Sequence, residues 1–269
     1  MDIKMDLAIQ VKNLVSHYGE REILKDISLD VPRGEILVIM GGSGSGKSTF
    51  LRSLLGLKKA TSGKVNLLGK DIMQLNEIEM HDMRKNMGVA FQGGALFNSL
   101  TVGENVRLPL REHTDLDEST INIMSRMKLE VVNLSGFEDL KPAELSGGMI
   151  KRAALARAIV MDPKLLFFDE PSAGLDPVAS VELDELIITL RDAMQMTIVV
   201  VTHELESAYK IADKITVLDQ GEILMTGTVE EVKNSKNKRI QSLLHRQARH
   251  DEVDADEYIN RLTRTSTYN

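Results

Sequence analysis

Eight residues near the start of the chain have the types and spacing needed to hold phosphate. They read Gly41-Gly42-Ser43-Gly44-Ser45-Gly46-Lys47-Ser48, a complete G-x-x-x-x-G-K-[ST] pattern. An apolar run precedes the loop and a helix-compatible stretch follows it. In that context backbone N–H groups converge on phosphate oxygens at a helix N-terminus, Lys47 reaches the outer phosphates and the Ser48 hydroxyl ligates Mg²⁺. We expect this loop, extended to Thr49, to bind a nucleotide, because a merely flexible Gly/Ser loop would not need a strand before it and a helix after it.

Two carboxylates end a second apolar run, Lys164-Leu165-Leu166-Phe167-Phe168-Asp169-Glu170. A strand buried on both faces presents Asp169 at its carboxyl end, where ligands bind in parallel sheets, and there it can hold the Mg²⁺ shell. Glu170 is placed to orient and deprotonate an attacking water. The alternative is an exposed Asp-Glu turn without a role.

A third segment predicts another anion site. In Leu145-Ser146-Gly147-Gly148-Met149 the serine is a natural N-cap for the helix-forming residues 151–158. The free N–H groups and the dipole of such a helix end favour an anion. The chain has one evident nucleotide pocket. We therefore expect the second helix end to bind the nucleotide that is held by another copy of the chain.

The framework that must position these motifs is predicted to be α/β. Apolar runs predict core strands at 35–40, 86–92, 164–169 and 197–202, of the kind buried in a parallel sheet. Residues 7–31 predict antiparallel strands around a turn at Gly19. Helices are expected at 48–57, 178–193 and 228–234, a helical insert at about 95–161, and a hairpin at 214–226 around Gln220-Gly221.

Composition narrows the function classes. The 269 residues carry a formal net charge of −7, which opposes a nucleic-acid binder, and no cysteine, which excludes thiolate catalysis and Cys-ligated zinc. The first residues show no secretory signal, and no apolar run approaches the roughly 20 residues that span a bilayer. We expect a cytosolic protein whose membrane role, if any, comes through a partner.

The composition changes after about residue 236, towards charge and polarity. Ile240, Leu243 and Leu244 share one helical face, and a second small apolar cluster follows at Tyr258, Ile259 and Leu262. Two interpretations are open: a solvated tail, or a segment of residues 236–269 that docks on another subunit.

Taken together, the motifs resemble those of ABC-transporter ATPase subunits, a branch of the P-loop NTPases. Residues 41–48, Leu145-Ser146-Gly147-Gly148, Asp169-Glu170-Pro171, Ser172-Ala173-Gly174-Leu175-Asp176 and Thr202-His203 occur in that family's order and spacing. The resemblance covers about residues 7–235, the expected ATPase domain. It implies a parallel core sheet, an N-terminal antiparallel β-subdomain and a head-to-tail dimer that holds two ATP molecules.

The resemblance also implies roles for single residues. Tyr18 matches the aromatic that stacks on adenine, although a surface turn tyrosine is the alternative. Gln92 matches the glutamine that touches Mg²⁺ or the catalytic water and relays nucleotide state to the insert; alone it would be read as a solvated strand end. His203 matches the histidine on the γ-phosphate, and Asp176 an aspartate that crosses the dimer interface. Met149 departs from the family's usual glutamine.

A finer resemblance is to the ATPases of Mla, MCE-associated phospholipid transporters. It rests on the Met-ended segment 144–149 and on residues 91–102 and 109–114. It implies a multipass permease, an MCE lipid-binding protein and a small STAS-domain protein as partners, at the cytoplasmic face of the inner membrane. The alternatives are an ABC ATPase for a polar solute such as an amino acid, or a soluble ABC ATPase clamp.

Overall fold

Two β-sheets organise residues 6–245, the part of the chain that the computed structural model describes. In chain order the strands are β1 (Leu7–Tyr18), β2 (Arg21–Pro32), β3 (Ile36–Met40), β4 (Ser62–Leu67), β5 (Lys70–Asp71), β6 (Met87–Ala90), β7 (Leu165–Asp169), β8 (Thr197–Val201), β9 (Lys214–Asp219) and β10 (Glu222–Gly227). The helices are α1 (Lys47–Leu54), α2 (Glu77–Arg84), α3 (Val102–His113), α4 (Glu118–Val131), α5 (Gly147–Ile159), α6 (Pro177–Met194), α7 (Leu205–Ile211), α8 (Val229–Lys233) and α9 (Lys238–Leu244).

The larger sheet has the strand order β10-β9-β3-β8-β7-β6. Its strands pair in parallel except for the β9–β10 hairpin. This confirms the predicted core strands and hairpin. Because β3, β6, β7 and β8 run in the same direction, the segments that follow them meet at one edge of the sheet.

Side chains of the larger sheet alternate between two hydrophobic cores. Phe168 packs into the core beneath α5 and α6, whereas Phe167 packs into the core that holds α1 and the smaller sheet. Both faces are therefore covered, which is why these strands read as continuous apolar runs. The alternation puts Asp169 on the same face as Phe167, towards α1.

The smaller sheet is antiparallel, with the order β2-β1-β4-β5. It confirms the predicted antiparallel subdomain and adds β4 and β5. Only Val65 and Leu67 of β4 are buried, which gives too short an alternation to predict a strand. Helix α2 was also missed, although its capping box carried a signal: Asn76 Oδ1 accepts from the N–H of Glu79, and the Glu79 carboxylate accepts from the N–H of Asn76.

The helical insert contains α3, α4 and α5, and its first residues are not helical. The predicted strand at 86–92 is present as β6, but it ends at Ala90, two residues before Gln92. A turn closes immediately afterwards, with the N–H of Gly94 donating to the carbonyl of Phe91 (2.8 Å). The following stretch is held by Asn105, whose side chain bonds both backbone groups of Phe97.

Residues near the end of the described chain form α9 and fold back on this same domain. Ile240 is 1% exposed and belongs to the core under the larger sheet. An ion pair between Arg239 and Asp219 (2.7 Å) fixes the helix to the β9–β10 hairpin. The second cluster, at Tyr258, Ile259 and Leu262, lies outside the described residues, and docking of the tail on another subunit stays a prediction. Within residues 6–245, none of the helices combines the length and apolar character that a bilayer crossing requires.

Candidate active site

The phosphate loop connects β3 to α1 in a conformation that exposes the helix N-terminus. Gly46 takes the N-cap position at φ 107°, in the region that favours glycine, and no side chain of the described chain caps the first turn of α1. The loop is closed by the N–H of Ser45, which donates to the carbonyl of Gly42 (3.3 Å). Uncapped N–H groups at a helix N-terminus favour an anion such as phosphate.

Lys47 is the cation of this loop. Its ammonium donates to the carbonyl oxygens of Gly41 (2.8 Å) and Gly42 (3.0 Å). Burial lowers the pKa of Lys47, while the nearby carboxylates of Glu170 and Asp169 act in the opposite direction. The ammonium is thus a partly desolvated charge between the loop and two acids, where attraction to phosphate is stronger than in water.

Asp169 is half-buried at the carboxyl end of β7. Burial raises the pKa of Asp169, and repulsion from Glu170 raises it further, against the attraction of Arg52, Lys47 and Lys151. A cation beside this carboxylate would counter both effects.

Glu170 and His203 form a hydrogen-bonded pair across the ends of β7 and β8. Glu170 Oε2 lies 2.8 Å from His203 Nδ1 and 3.4 Å from the backbone nitrogen of His203. Glu170 has φ 50°, a left-handed conformation that costs a non-glycine residue about 1–2 kcal/mol. Its N–H donates to the carbonyl of Val201 (2.8 Å), which holds the turn that aims the carboxylate at the imidazole.

One cavity brings the predicted catalytic groups together. It has a volume of about 580 Å³, and its polar wall contains Lys47, Glu170 and His203. The remaining lining comes from Met40, Gly41, Gly42, Ser43, Leu205, Val217, Leu243 and Leu244. A second cavity of about 260 Å³ lies against Gly44, Ser45, Gly46, Lys47, Ser48 and Thr49, with Arg21 and Ile23 opposite. Lys47 lines both cavities.

The predicted Mg²⁺ ligands have suitable chemistry. Ser48, Asp169 and Gln92 offer a hydroxyl, a carboxylate and an amide oxygen, which are the hard donors that Mg²⁺ prefers. Within the described residues, no group of three or more His, Cys, Asp or Glu side chains could hold a metal by itself. A single carboxylate beside a phosphate loop fits Mg²⁺, which is usually completed by substrate phosphates and water.

Tyr18 lies at the end of β1 with its side chain 48% exposed. One face of its ring is occupied by Lys58, whose Nζ is 3.7 Å from the ring centroid. The same ammonium donates to the carbonyl of His17 (2.7 Å). The ring is therefore held from one side and remains about half exposed.

The N-terminus of α5, the second predicted anion site, does not line the cavity that contains Lys47, Glu170 and His203. Ser146 caps α5 by accepting from the N–H of Met149 (3.3 Å), as predicted. A Cβ added to Gly147 or Gly148 would meet nothing within 4 Å, so packing inside the chain does not require glycine at either position. Met149 packs against the core beneath α5 and α6. Asp176 caps α6 by accepting from the N–H groups of Val178 and Ala179.

Three features of the site escaped the sequence prediction. Arg21 faces the phosphate loop from β2, Leu243 and Leu244 wall the catalytic cavity, and Lys151 of α5 contacts the backbone beside the two acids. Only Leu243 and Leu244 could have been found from the sequence, because they share an apolar helical face in the segment after residue 236. The two cations reach the site through tertiary contacts that no local pattern records.

Comparisons with known proteins agree with this geometry. The family model described as "ABC transporter" matches residues 24–173. MlaF of Haemophilus influenzae, an "intermembrane phospholipid transport system ATP-binding protein", is 42% identical over 236 residues, covering 88% of this chain and 89% of that protein. MlaF of Escherichia coli K12 is 42% identical over 84% of each chain. A "probable ribonucleotide transport ATP-binding protein mkl" of Mycobacterium leprae is 41% identical, covering 90% of this chain and 70% of that protein.

Solved structures give the same answer. CbiO1 from Clostridium perfringens, part of the transporter complex cbiONQ, superposes with a TM-score of 0.79 at 29% identity, covering 89% of this chain and 95% of that chain. The dimeric cassette MJ0796 in a post-hydrolysis state with ADP and Pi superposes with a TM-score of 0.76 at 31% identity, covering 82% and 98%. The chain therefore belongs to the ABC transporter family, as one of its nucleotide-binding ATPase cassettes.

Proposed function

We propose that this chain hydrolyses ATP to drive phospholipid transport across the cell envelope, through a multipass permease at the cytoplasmic face of the inner membrane. The two MlaF proteins support the substrate class, because they are 42% identical to this chain and match along most of both lengths. An MCE lipid-binding protein and a STAS-domain protein are proposed as further partners.

The observation that carries the ATPase part of the proposal is the contact between Glu170 and His203 in the same cavity as Lys47. A carboxylate base, an imidazole and an ammonium around one chamber are the groups that phosphoryl transfer to water needs. All three are fixed by the ends of neighbouring parallel strands and the loop between β3 and α1.

In the proposed mechanism, residues 41–49 bind the phosphates of ATP and the free face of Tyr18 stacks on adenine. Glu170 orients a water for in-line attack and accepts its proton, while Lys47 and His203 stabilise the negative charge that develops on the transferred phosphoryl group. When bound at Ser48, Gln92 and Asp169, Mg²⁺ supplies Lewis-acid neutralisation of the phosphates.

The proposed working unit is a head-to-tail dimer. A second copy would bring the N-terminus of its α5, with Ser146, Gly147 and Gly148, to the γ-phosphate. This would explain why the space around Gly147 and Gly148 is open within one chain. The dimeric state of MJ0796 supports this arrangement. Closure of the dimer would move the helical insert, residues 95–161, and so transmit the nucleotide state to the permease. Asp176 is proposed to lie at the interface.

The experiment is to purify the chain with its membrane partners, identify co-purified lipid by mass spectrometry, and measure ATPase activity in vesicles of phosphatidylethanolamine and phosphatidylglycerol. We expect bound phospholipid and stimulation by the vesicles. Ribonucleotide stimulation without a lipid effect would support the alternative suggested by the name of the mkl proteins. Stimulation by an amino acid alone would favour a polar-solute transporter. Stimulation by nucleic acid, without any membrane partner, would favour a soluble clamp.

A further inference from the structure

Helix α5 carries a cation, Lys151, that bridges two parts of the active site. Its Nζ donates to the backbone carbonyl of Gln92 and to that of Glu170 (3.2 Å). These residues follow β6 and β7, which are parallel neighbours in the sheet. One ammonium on one helix thus joins the turns that carry the proposed catalytic base and the proposed nucleotide-sensing glutamine.

The ammonium is committed to these carbonyls. Both of its hydrogen bonds go to backbone carbonyls, while the carboxylates of Asp169 and Glu170 attract it electrostatically. Burial lowers the pKa of Lys151 more than those acids raise it. A hydrogen-bonded cation at a partly desolvated position is costly to remove, since both carbonyls would lose a charged donor.

For Glu170, Lys151 completes the support of a strained backbone. The residue has φ 50°, and its N–H is already held by the carbonyl of Val201. Lys151 holds the other end of the residue, at its carbonyl. A left-handed non-glycine residue persists only when its surroundings fix it, so this contact helps to keep the carboxylate aimed at His203.

The segment that contains Gln92 also packs on α5. Arg157, six residues further along α5, donates to the carbonyls of Gly94 (2.9 Å) and Ala95 (2.7 Å). A Cβ at Gly94 would lie 2.7 Å from Ile150, which shows how closely the segment lies on α5. Gln92 itself is exposed, and the Lys151 contact fixes its backbone.

The N-terminus of α5 is the helix end that the proposed dimer assigns to the other nucleotide. Ser146 and Lys151 are five residues apart, about 7.5 Å along the helix axis. Both residues belong to the same continuous helix, α5 with its N-cap, so we expect a displacement at its capped end to reach Lys151. Through Lys151 it also reaches the backbones of Gln92 and Glu170.

We propose that Lys151 is a positioning residue that couples the two nucleotide sites of the dimer: engagement of one nucleotide by α5 sets Gln92 and Glu170 at the other. This rests on the proposed head-to-tail dimer. ATP bound at both sites then favours hydrolysis cooperatively, because the two helices and the two pairs of turns move together. The role is distinct from binding, since Lys151 lines neither cavity of the phosphate loop.

The test compares Lys151→Met and Lys151→Arg in the full-length chain, by ATPase rate against ATP concentration and by binding of a fluorescent ATP analogue. We expect Lys151→Met to lower kcat about tenfold or more with analogue affinity within about threefold, and its Hill coefficient to fall towards 1. Lys151→Arg keeps a cation that can donate to both carbonyls, so its kcat and Hill coefficient should stay close to those of the wild type. Lys128→Met, in α4 of the same insert, is the matched control and should leave them unchanged.

The outcomes separate this proposal from the proposed function. If Lys151→Met keeps the wild-type kcat and Hill coefficient while Glu170→Gln is inactive, the coupling proposal fails and the ATPase proposal stands. If Lys151→Met lowers the melting temperature and kcat without changing the Hill coefficient, the residue is only structural and the coupling proposal also fails. If Glu170→Gln hydrolyses ATP normally, the proposed function fails first.

Discussion

At the scale of the residue, the site depends on a few side chains whose backbone is held in place by the ends of parallel strands. Glu170 combines a left-handed backbone, a hydrogen bond to His203 and a position beside Lys47. The carboxylate is therefore held in one direction, which suits the general-base role proposed for it. Substitutions that keep the shape of Glu170 but remove its basicity should separate chemistry from binding.

Glu170→Gln is the first such prediction. The amide preserves the size and a hydrogen bond to His203 but cannot accept a proton, so turnover should fall about 100-fold or more while ATP stays bound. Phosphate release and ATP retention on a sizing column measure the two effects. Glu185→Gln, an exposed surface exchange on α6, is the control and should be active. A Glu170→Gln chain that turns over at the wild-type rate contradicts the assigned role.

Lys47→Ala should fail at an earlier step. The ammonium is the cation closest to the loop carbonyls of Gly41 and Gly42. Its loss removes the point charge for the outer phosphates, so ATP affinity should fall about tenfold or more. The fold should survive, because the side chain is only partly buried. Equilibrium binding of a fluorescent ATP analogue and the melting temperature test this; unchanged affinity would argue against the role of Lys47.

At the scale of the element, the sequence predicted best where one local pattern decided the structure. The apolar runs of β3, β7 and β8 and the glycine-rich loop identified the sheet and the phosphate site. Strand β4 and helix α2 were missed because their alternation or apolar face is short, and the strength of β4 comes from pairing with β1. Lys151 was missed for a related reason, since its two contacts lie 59 and 19 residues away along the chain.

A buried contact between α6 and α7 gives a pH-dependent prediction. Asp184 is 4% exposed and accepts a hydrogen bond from the hydroxyl of Ser207, with Lys210 and Glu185 nearby. Burial raises the pKa of Asp184, so the folded chain binds this proton more tightly than the unfolded chain. Its contribution to stability is present below the unfolded pKa and is lost as the pH rises through the folded pKa.

Asp184→Asn removes that titration while keeping an acceptor for Ser207. The melting temperature of the variant, relative to wild type, should therefore increase from acid to neutral pH. The same exchange at the exposed Asp139 should give a difference that does not depend on pH in this way. If the melting temperature of the Asp184→Asn variant, relative to wild type, falls as the pH rises, the fold stabilises the charged form of Asp184 instead.

Helix α9 provides a second test at this scale. Because Ile240 is buried in the core, Ile240→Ala should lower the free energy of unfolding by about 2 kcal/mol or more. Lys238→Ala, exposed on the same helix, should be nearly neutral. Urea titrations measure both. Equal effects of the two variants would mean that α9 is a solvated tail after all.

At the scale of the whole molecule, the phosphate loop and the capped end of α5 lie in different places on one chain. The phosphate loop, Glu170 and His203 share a cavity, whereas the capped end of α5 faces outwards with open space at Gly147 and Gly148. A second copy placed head to tail would complete each site with the helix end of its neighbour. Binding by the lone chain and closure of the pair are then separate steps.

Substitution at the helix end should separate those steps. Ser146→Arg removes the N-cap and fills the open surface, so ATP binding to the lone chain should stay within about threefold while ATP-driven dimerisation and turnover are lost. Sedimentation of the variant in the Glu170→Gln background, with and without ATP, measures the assembly. Ser119→Arg places the same side chain on the exposed first turn of α4 and should still dimerise. A monomer that hydrolyses ATP at full rate, or a Ser146→Arg chain that still pairs on ATP, would rule out a composite site, because α5 would then have no nucleotide to engage.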